Sequence, residues 1–261
     1  GLRKQLSNTT MKRLLFPLLA ALALPTAVNA VERSITIDSV SQLSIIGFED
    51  NENKANVIAL VGGKGLRNGK GKSKNFLVRN KNIFASNRIN YYIFPNWSEN
   101  ELATYPLRIT KIRTQRILNL VNYLKKQNDL PTYILGFSRG SVDAGSFAIR
   151  NPNSIKGIVL ASGIYKNKSK KASNYSMEKI IGKEIKTHTL VVHHKKDTCI
   201  ATPFKYAEKF FSKLKAPKKK QLFYTSGNPT GEPCGPNHFH GFEGIEKDVA
   251  SDISDWIKNN S

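Results

Sequence analysis

Short apolar runs recur along the chain at residues 56–61, 88–94, 133–135, 155–161, 187–194 and 221–224, each followed by glycine, proline, serine or charged residues. Runs without polar alternation are what strands covered on both faces look like. Between them apolar residues return at helical spacing. Ile117, Leu120, Val121 and Leu124 form one stripe, Phe204, Ala207, Phe211 and Leu214 a second, and Phe242, Ile245, Val249, Ile253 and Trp256 a third. Further helices are expected around residues 75–86, from the serine turn at 136–140 to about Arg150, and briefly near 177–181, with Thr202 capping the second stripe ahead of Pro203. Residues 34–38 and 42–47 alternate instead, and are read as an antiparallel entry hairpin. Strands that alternate with helices predict an α/β fold, a mostly parallel central sheet with helices on both faces. The polar stretch 162–186 leaves room for only a minimal lid, which suits short acyl groups or an exposed polymer end.

The first 30 residues follow a different pattern. Lys12 and Arg13 precede an apolar core at 14–24, and Val28-Asn29-Ala30 places small residues where a signal peptidase cuts. The run is too short for a membrane span and is read as a secretory signal peptide, with residues 1–10 upstream of it or part of a longer basic region. Residues 31–261 are then expected to form a single exported domain, periplasmic or extracellular, with no stable membrane anchor.

Charge adds one question. Lys and Arg number 41 against 19 Asp and Glu, a formal charge of +22, and the first 30 residues contribute only Arg3, Lys4, Lys12 and Arg13 to it. The lysines are scattered among asparagines, and the runs at 168–171 and 218–220 lack the interleaved aromatics of a single-strand binder. A solvated basic surface is the preferred reading over a specific nucleic-acid partner. The sequons at Asn96, Asn167 and Asn174 are what so asparagine-rich a chain gives by chance.

The candidate chemistry centres on Gly136-Phe137-Ser138-Arg139-Gly140 between a strand and a helix, the arrangement that lifts a serine Oγ above a sheet edge. A serine nucleophile needs a base, and the base an orienting acid, in the chain order Ser, Asp or Glu, His. Asp197 follows the second strand after the serine turn, and His240 follows the last strand, so Ser138, Asp197 and His240 meet that order. His238 is the competing base; His240 is preferred because Gly241 lets the chain turn into the final helix. His193 and His194 are read as packing or hydrogen-bonding groups, Asp143 as structural, and Glu232 and Glu243 lack the strand-end position. The oxyanion hole is expected from the backbone N–H of Arg139 and one from the Gly63-Lys64 region. Gly71-Lys72-Ser73 lacks phosphate-loop register. Arg108, Arg113 and Arg116 receive no chemistry. Cys199 and Cys234, the only cysteines, are expected to form a disulfide tying the acid's loop to the base's loop. No metal-ligand spacing and no cofactor motif is present.

The chain resembles the alpha/beta-hydrolases over residues 34–259, through Val61-Gly62-Gly63-Lys64-Gly65, the elbow at 136–140, the segment 191–197 ending in Asp197, and His240-Gly241-Phe242. It is similar to exported bacterial members known only as predicted hydrolases, with Lys64 where an acidic residue is commoner. The resemblance implies an alpha/beta-hydrolase fold with Ser138 as nucleophile, Asp197 as acid and His240 as base, and no particular substrate. The expectation is a secreted serine hydrolase, foremost of carboxylic esters on a small molecule or polymer end. A peptidase or amidase on the same triad, or a non-catalytic basic binding protein on the same fold, are the alternatives.

Overall fold

The structure is a computed structural model that describes residues 30–166, 169 and 174–261. The signal-peptide reading and most of the 168–171 lysine run lie outside the described residues. Eight strands form one sheet: β1 (Val31–Ile35), β2 (Ile45–Glu49), β3 (Asn56–Leu60), β4 (Asn90–Phe94), β5 (Thr132–Phe137), β6 (Gly157–Ala161), β7 (His188–His194) and β8 (Lys219–Tyr224). Their spatial order is β1-β2-β4-β3-β5-β6-β7-β8, antiparallel where β2 meets β1 and β4 and parallel from β4 onward.

The apolar runs become the central strands because both faces are covered. Val57, Ala59, Leu135 and Val159 point to one side, where α1 (Phe76–Arg79), α2 (Lys81–Ala85) and α8 (Glu246–Asn259) contribute Phe76, Phe84, Val249 and Ile253. Ile58, Leu60, Ile134 and Leu160 point to the other, against Leu120 and Leu124 of α4 (Lys111–Asn128), Phe147 of α5 (Gly140–Arg150) and Phe210 of α7 (Phe204–Lys213). Each such side chain removed from water stabilises the fold by about 1.5–3 kcal/mol before chain entropy is counted. The remaining short helices are α3 (Tyr105–Arg108) and α6 (Met177–Ile180). At the outer edge Lys219 and Lys220 of β8 are exposed, and charge on an edge strand discourages pairing with another chain.

Several boundaries differ from the sequence reading. The entry hairpin pairs Val31–Ile35 with Ile45–Glu49, earlier and later than expected, because the alternating residues 36–44 form the turn between them. The helix expected at 75–86 is broken at Asn80, whose side chain donates back to the Phe76 carbonyl. On α7, Ala207 and Phe210 are the fully covered residues, while Phe204 and Phe211 are half-buried against the second core. Pro203 rather than Thr202 occupies the cap position, and no side chain caps that helix.

One topological fact places the site. From β3 the chain goes to β4 on one side of the sheet, and later returns to β5 on the other. The crevice beyond the carboxyl ends of β3 and β5 is the switch point at which open α/β sheets bind ligands.

Candidate active site

The turn after β5 has the geometry that its glycines permit. Ser138 sits at a φ of 52°, a left-handed conformation that costs a non-glycine residue about 1–3 kcal/mol. A Cβ on Gly136 would run into the Gly140 carbonyl, and one on Gly140 into the Leu60 carbonyl, so strand and helix approach this closely only with glycine at both positions. Ser138 N–H donates to the Ala161 carbonyl at 2.9 Å, which locks the strained residue to β6.

Three side chains named from the sequence meet at this edge. His240 Nε2 lies 3.0 Å from Ser138 Oγ, and His240 Nδ1 lies 3.0 Å from Asp197 Oδ2. Asp197 and His240 are buried, while Ser138 is partly open to solvent. His238, the competing base, packs edge-on against Phe239. The chain turn beside His240 also differs from expectation. A short 3₁₀ turn, Phe239–Gly241, ends in Phe242 at a φ of 58°, so the left-handed residue is Phe242. Gly241 is needed because a Cβ there would overlap the Pro236 carbonyl. Ser162 Oγ donates to the His240 carbonyl at 2.7 Å and fixes the backbone behind the imidazole.

Sequence reasoning missed a fourth group here. Thr202 Oγ1 donates to Asp197 Oδ2 at 2.9 Å and also stands 2.9 Å from His240 Nδ1. The backbone N–H of Cys199 donates to the other carboxylate oxygen at 2.9 Å, and the buried His193 Nε2 lies 3.3 Å from Oδ2 and 2.7 Å from the Thr202 carbonyl. Burial alone would raise the Asp197 carboxyl, but hydrogen bonds from the His193 and His240 rings outweigh it and hold the group well below the usual carboxylate range. Asp197 is therefore an anion at neutral pH, with one carboxylate oxygen facing His240 Nδ1.

Cys199 and Cys234 are bonded, 35 residues apart in sequence. The bridge joins the loop after β7, which carries Asp197, to the loop after β8, which carries His240. Closing a loop of this length stabilises by about 3–4 kcal/mol in the chain-entropy account. Reduction by dithiothreitol is expected to lower the Tm by about 10 °C, and thiol titration of the unreduced protein should find no free thiol. Two reactive thiols, or an unchanged Tm after verified reduction, would contradict this.

On the opposite wall, the β3 strand runs into Gly62-Gly63-Lys64-Gly65, with Gly63 at a φ of 57°. Among the described residues no backbone hydrogen bond engages the N–H groups of Gly63, Lys64 or Arg139. The loop is held by a residue to which the sequence reading gave no role. Arg108 is fully buried and donates to the carbonyls of Val61 at 2.9 Å, Gly63 at 3.0 Å and Ala103 at 2.9 Å. Its remaining nitrogen donates to Asp143, which also accepts from Arg113 at 3.0 Å. Burial lowers the Arg108 pKa to about 10, with Asp143 opposing the shift. Asp143, read from the sequence as structural, has two buried guanidiniums as its partners. Arg116 likewise donates to the Val40 and Pro95 carbonyls and pairs with Glu101.

Among the described residues no group of three His, Cys, Asp or Glu side chains is placed to hold a metal ion, and no helix is long and apolar enough to cross a membrane. The arrangement supplies a hydroxyl on a strained turn, an imidazole in contact with it, an ionised carboxylate behind the imidazole, and, lining the same crevice, backbone N–H groups of Gly63, Lys64 and Arg139 that are unengaged by backbone among the described residues.

No protein-family model matches the chain, and no curated protein matches its sequence. Solved structures do. A dienelactone hydrolase from Anabaena variabilis superposes with a TM-score of 0.63 at 15% identity, covering 88% of this chain and 98% of that one. An esterase from Pyrococcus furiosus gives 0.63 at 14%, covering 89% and 92%. A monoacylglycerol lipase from Paleococcus ferrophilus gives 0.57 at 12%, covering 84% and 100%. At identities this low the likeness establishes architecture alone, and together with the strand order it shows that the chain has the alpha/beta-hydrolase fold.

Proposed function

We propose that this protein is an exported serine hydrolase of carboxylic esters that works through an acyl-enzyme. The observation that carries the proposal is the continuous hydrogen-bonded line Ser138 Oγ, His240, Asp197 at a turn where Ser138 has a φ of 52°. The esterases and lipase among the structural neighbours support the choice of ester, and the signal-like residues 12–30 together with the disulfide support export.

In the first half-reaction His240 Nε2 takes the Ser138 hydroxyl proton as Oγ bonds to the ester carbonyl carbon. The carbonyl oxygen becomes an oxyanion and accepts hydrogen bonds from the N–H of Arg139 and one from Gly63 or Lys64. The His240 imidazolium is stabilised by Asp197 through Nδ1–H and then delivers its proton to the departing alkoxide, which leaves as an alcohol. Water next enters, His240 takes its proton, and the hydroxide carbon–oxygen bond forms as the acyl bond to Oγ breaks. The acid is released and Ser138 regains its proton. Arg108 serves this cycle without touching substrate. It holds the Val61 and Gly63 carbonyls, and in a trans peptide the Lys64 N–H points opposite to the Gly63 carbonyl, so Arg108 sets the direction of that donor.

A fluorophosphonate probe tests the reading. The wild-type protein is expected to be labelled at Ser138, and Ser138→Ala not at all. Absence of labelling in folded wild-type protein would remove the enzyme and leave a basic binding protein on this fold. Hydrolysis of peptide amides ahead of esters would move the assignment to a peptidase.

A further inference from the structure

The crevice in front of Ser138 has a volume of about 640 Å³, and its charged lining is of one sign. Lys64, Lys74 and Arg139 face it, and none of the chain's 19 Asp and Glu residues does. Asp197 lies behind the His240 ring and does not line it. Scattered surface lysines alone would be the basic background of this chain, but Arg139 is different. Every other buried or half-buried arginine among the described residues, Arg79, Arg108, Arg113 and Arg116, is paired with a carboxylate. Arg139 has no such partner among them. Its guanidinium instead lies over the Tyr105 ring, 4.3 Å from the centroid, and Tyr105 stacks in turn on Tyr175 at 5.8 Å.

Contact with the face of the Tyr105 ring restrains the guanidinium, and arginine takes a carboxylate or phosphate in bidentate fashion through its N–H edge. Half-burial beside the protein wall makes that charge worth more than one in bulk water, because the effective dielectric is lower. The residue is also adjacent in sequence to Ser138, so whatever its side chain holds lies a short spacer away from the reacting carbonyl. Lys64 and Lys74 are exposed at the rim, where they add attraction that falls off within about 8 Å at physiological salt.

Building on the ester-hydrolase reading, we propose that the site is selective for esters bearing a second, anionic group, with the Arg139 side chain as the specificity determinant. The anion sits on the guanidinium held over Tyr105, and the lysines raise the encounter rate.

The test compares 4-nitrophenyl pentanoate with the mono-4-nitrophenyl ester of glutaric acid, whose acyl chains are of equal length. At low salt the wild-type kcat/KM is expected to favour the glutarate ester by about tenfold or more. Arg139→Gln should bring the ratio close to one, and Arg139→Lys should keep part of it. Because each variant's own rate on the neutral ester is its reference, a general loss of activity does not mimic the effect. Exchanging Lys64 and Lys74 together for glutamine should lower the salt dependence of the ratio and leave most of the preference. Competition by free glutarate and by inorganic phosphate then tells whether the anion preferred is a carboxylate or a phosphate. A wild-type ratio near one, or a ratio unchanged in Arg139→Gln, overturns the inference while the hydrolase reading stands. Failure to hydrolyse either ester, together with no fluorophosphonate labelling, overturns both.

Discussion

Ser138→Ala and His240→Ala are each expected to lower kcat by about 10⁶, and the double variant by no more than either single one. The lack of additivity is the informative part. In the proposed mechanism Oγ cannot attack while it keeps its proton, and His240 Nε2, 3.0 Å away, is the acceptor for it. Removing either partner therefore removes the same step. Asp197→Asn should cost about 10⁴, because an amide can donate to Nδ1 and so favours the tautomer with its proton on Nε2, the wrong one for a base. Thr202→Val is the finer arm. It deletes the hydroxyl that contacts both Asp197 Oδ2 and His240 Nδ1 but keeps the side-chain shape, and a hydrogen bond to a charged group is worth about 1.5–3 kcal/mol. A fall in kcat of about tenfold or more with KM little changed is expected, and Thr202→Ser should restore the rate. Double variants that multiply the single losses would show that these side chains do not act as one unit. Asp197 also links stability to pH. Its folded pKa lies below the unfolded value, so its contribution is fully present above the ordinary carboxylate range and is lost as the pH falls through the folded pKa. Acid titration of Asp197→Asn should accordingly show a shallower decline below about pH 4.

How much of this was legible in the sequence depends on the range of the interaction that fixes each feature. Strands β3, β5 and β7 were readable to within two residues at either end because burial on both faces writes an unbroken apolar run. The serine turn was readable because Gly136 and Gly140 answer to contacts only a few residues away or to the neighbouring strand. The entry hairpin was misplaced because alternation persists through residues that turn out to be loop. Thr202 was read as a helix cap from its neighbour Pro203, yet its hydroxyl donates to Asp197 and contacts His240, 38 positions later. Arg108 and Arg113 belong to a polar, basic stretch that looks solvated, and only the fold brings Asp143 beneath them from 35 and 30 positions away. Sequence patterns record local geometry and burial well. They record the partner of a buried charge only when the two happen to be near in the chain.

That buried cluster is where the second large effect is expected. Asp143→Asn should destabilise the protein by about 3–5 kcal/mol, since it leaves two fully buried guanidiniums with a single neutral oxygen between them. In urea the unfolding midpoint should fall with the m-value unchanged. Loss of stability alone does not separate a structural cluster from one that shapes the site, so Arg108→Lys is the decisive variant. It keeps a positive charge beside Asp143, but one ammonium on a flexible stem cannot replace a planar fork that binds Asp143 and the Val61, Gly63 and Ala103 carbonyls together. If Arg108 orients the oxyanion loop, the folded Arg108→Lys protein should lose about 10²-fold in kcat, comparable to losing one oxyanion donor, with KM little affected and fluorophosphonate labelling slowed in proportion. Equal kcat in wild type and Arg108→Lys would confine Arg108 to holding the fold. The contrast rests on where the interaction energy appears. An arginine that only fills the core changes the unfolding equilibrium, whereas one that sets the direction of the Lys64 amide changes the transition state.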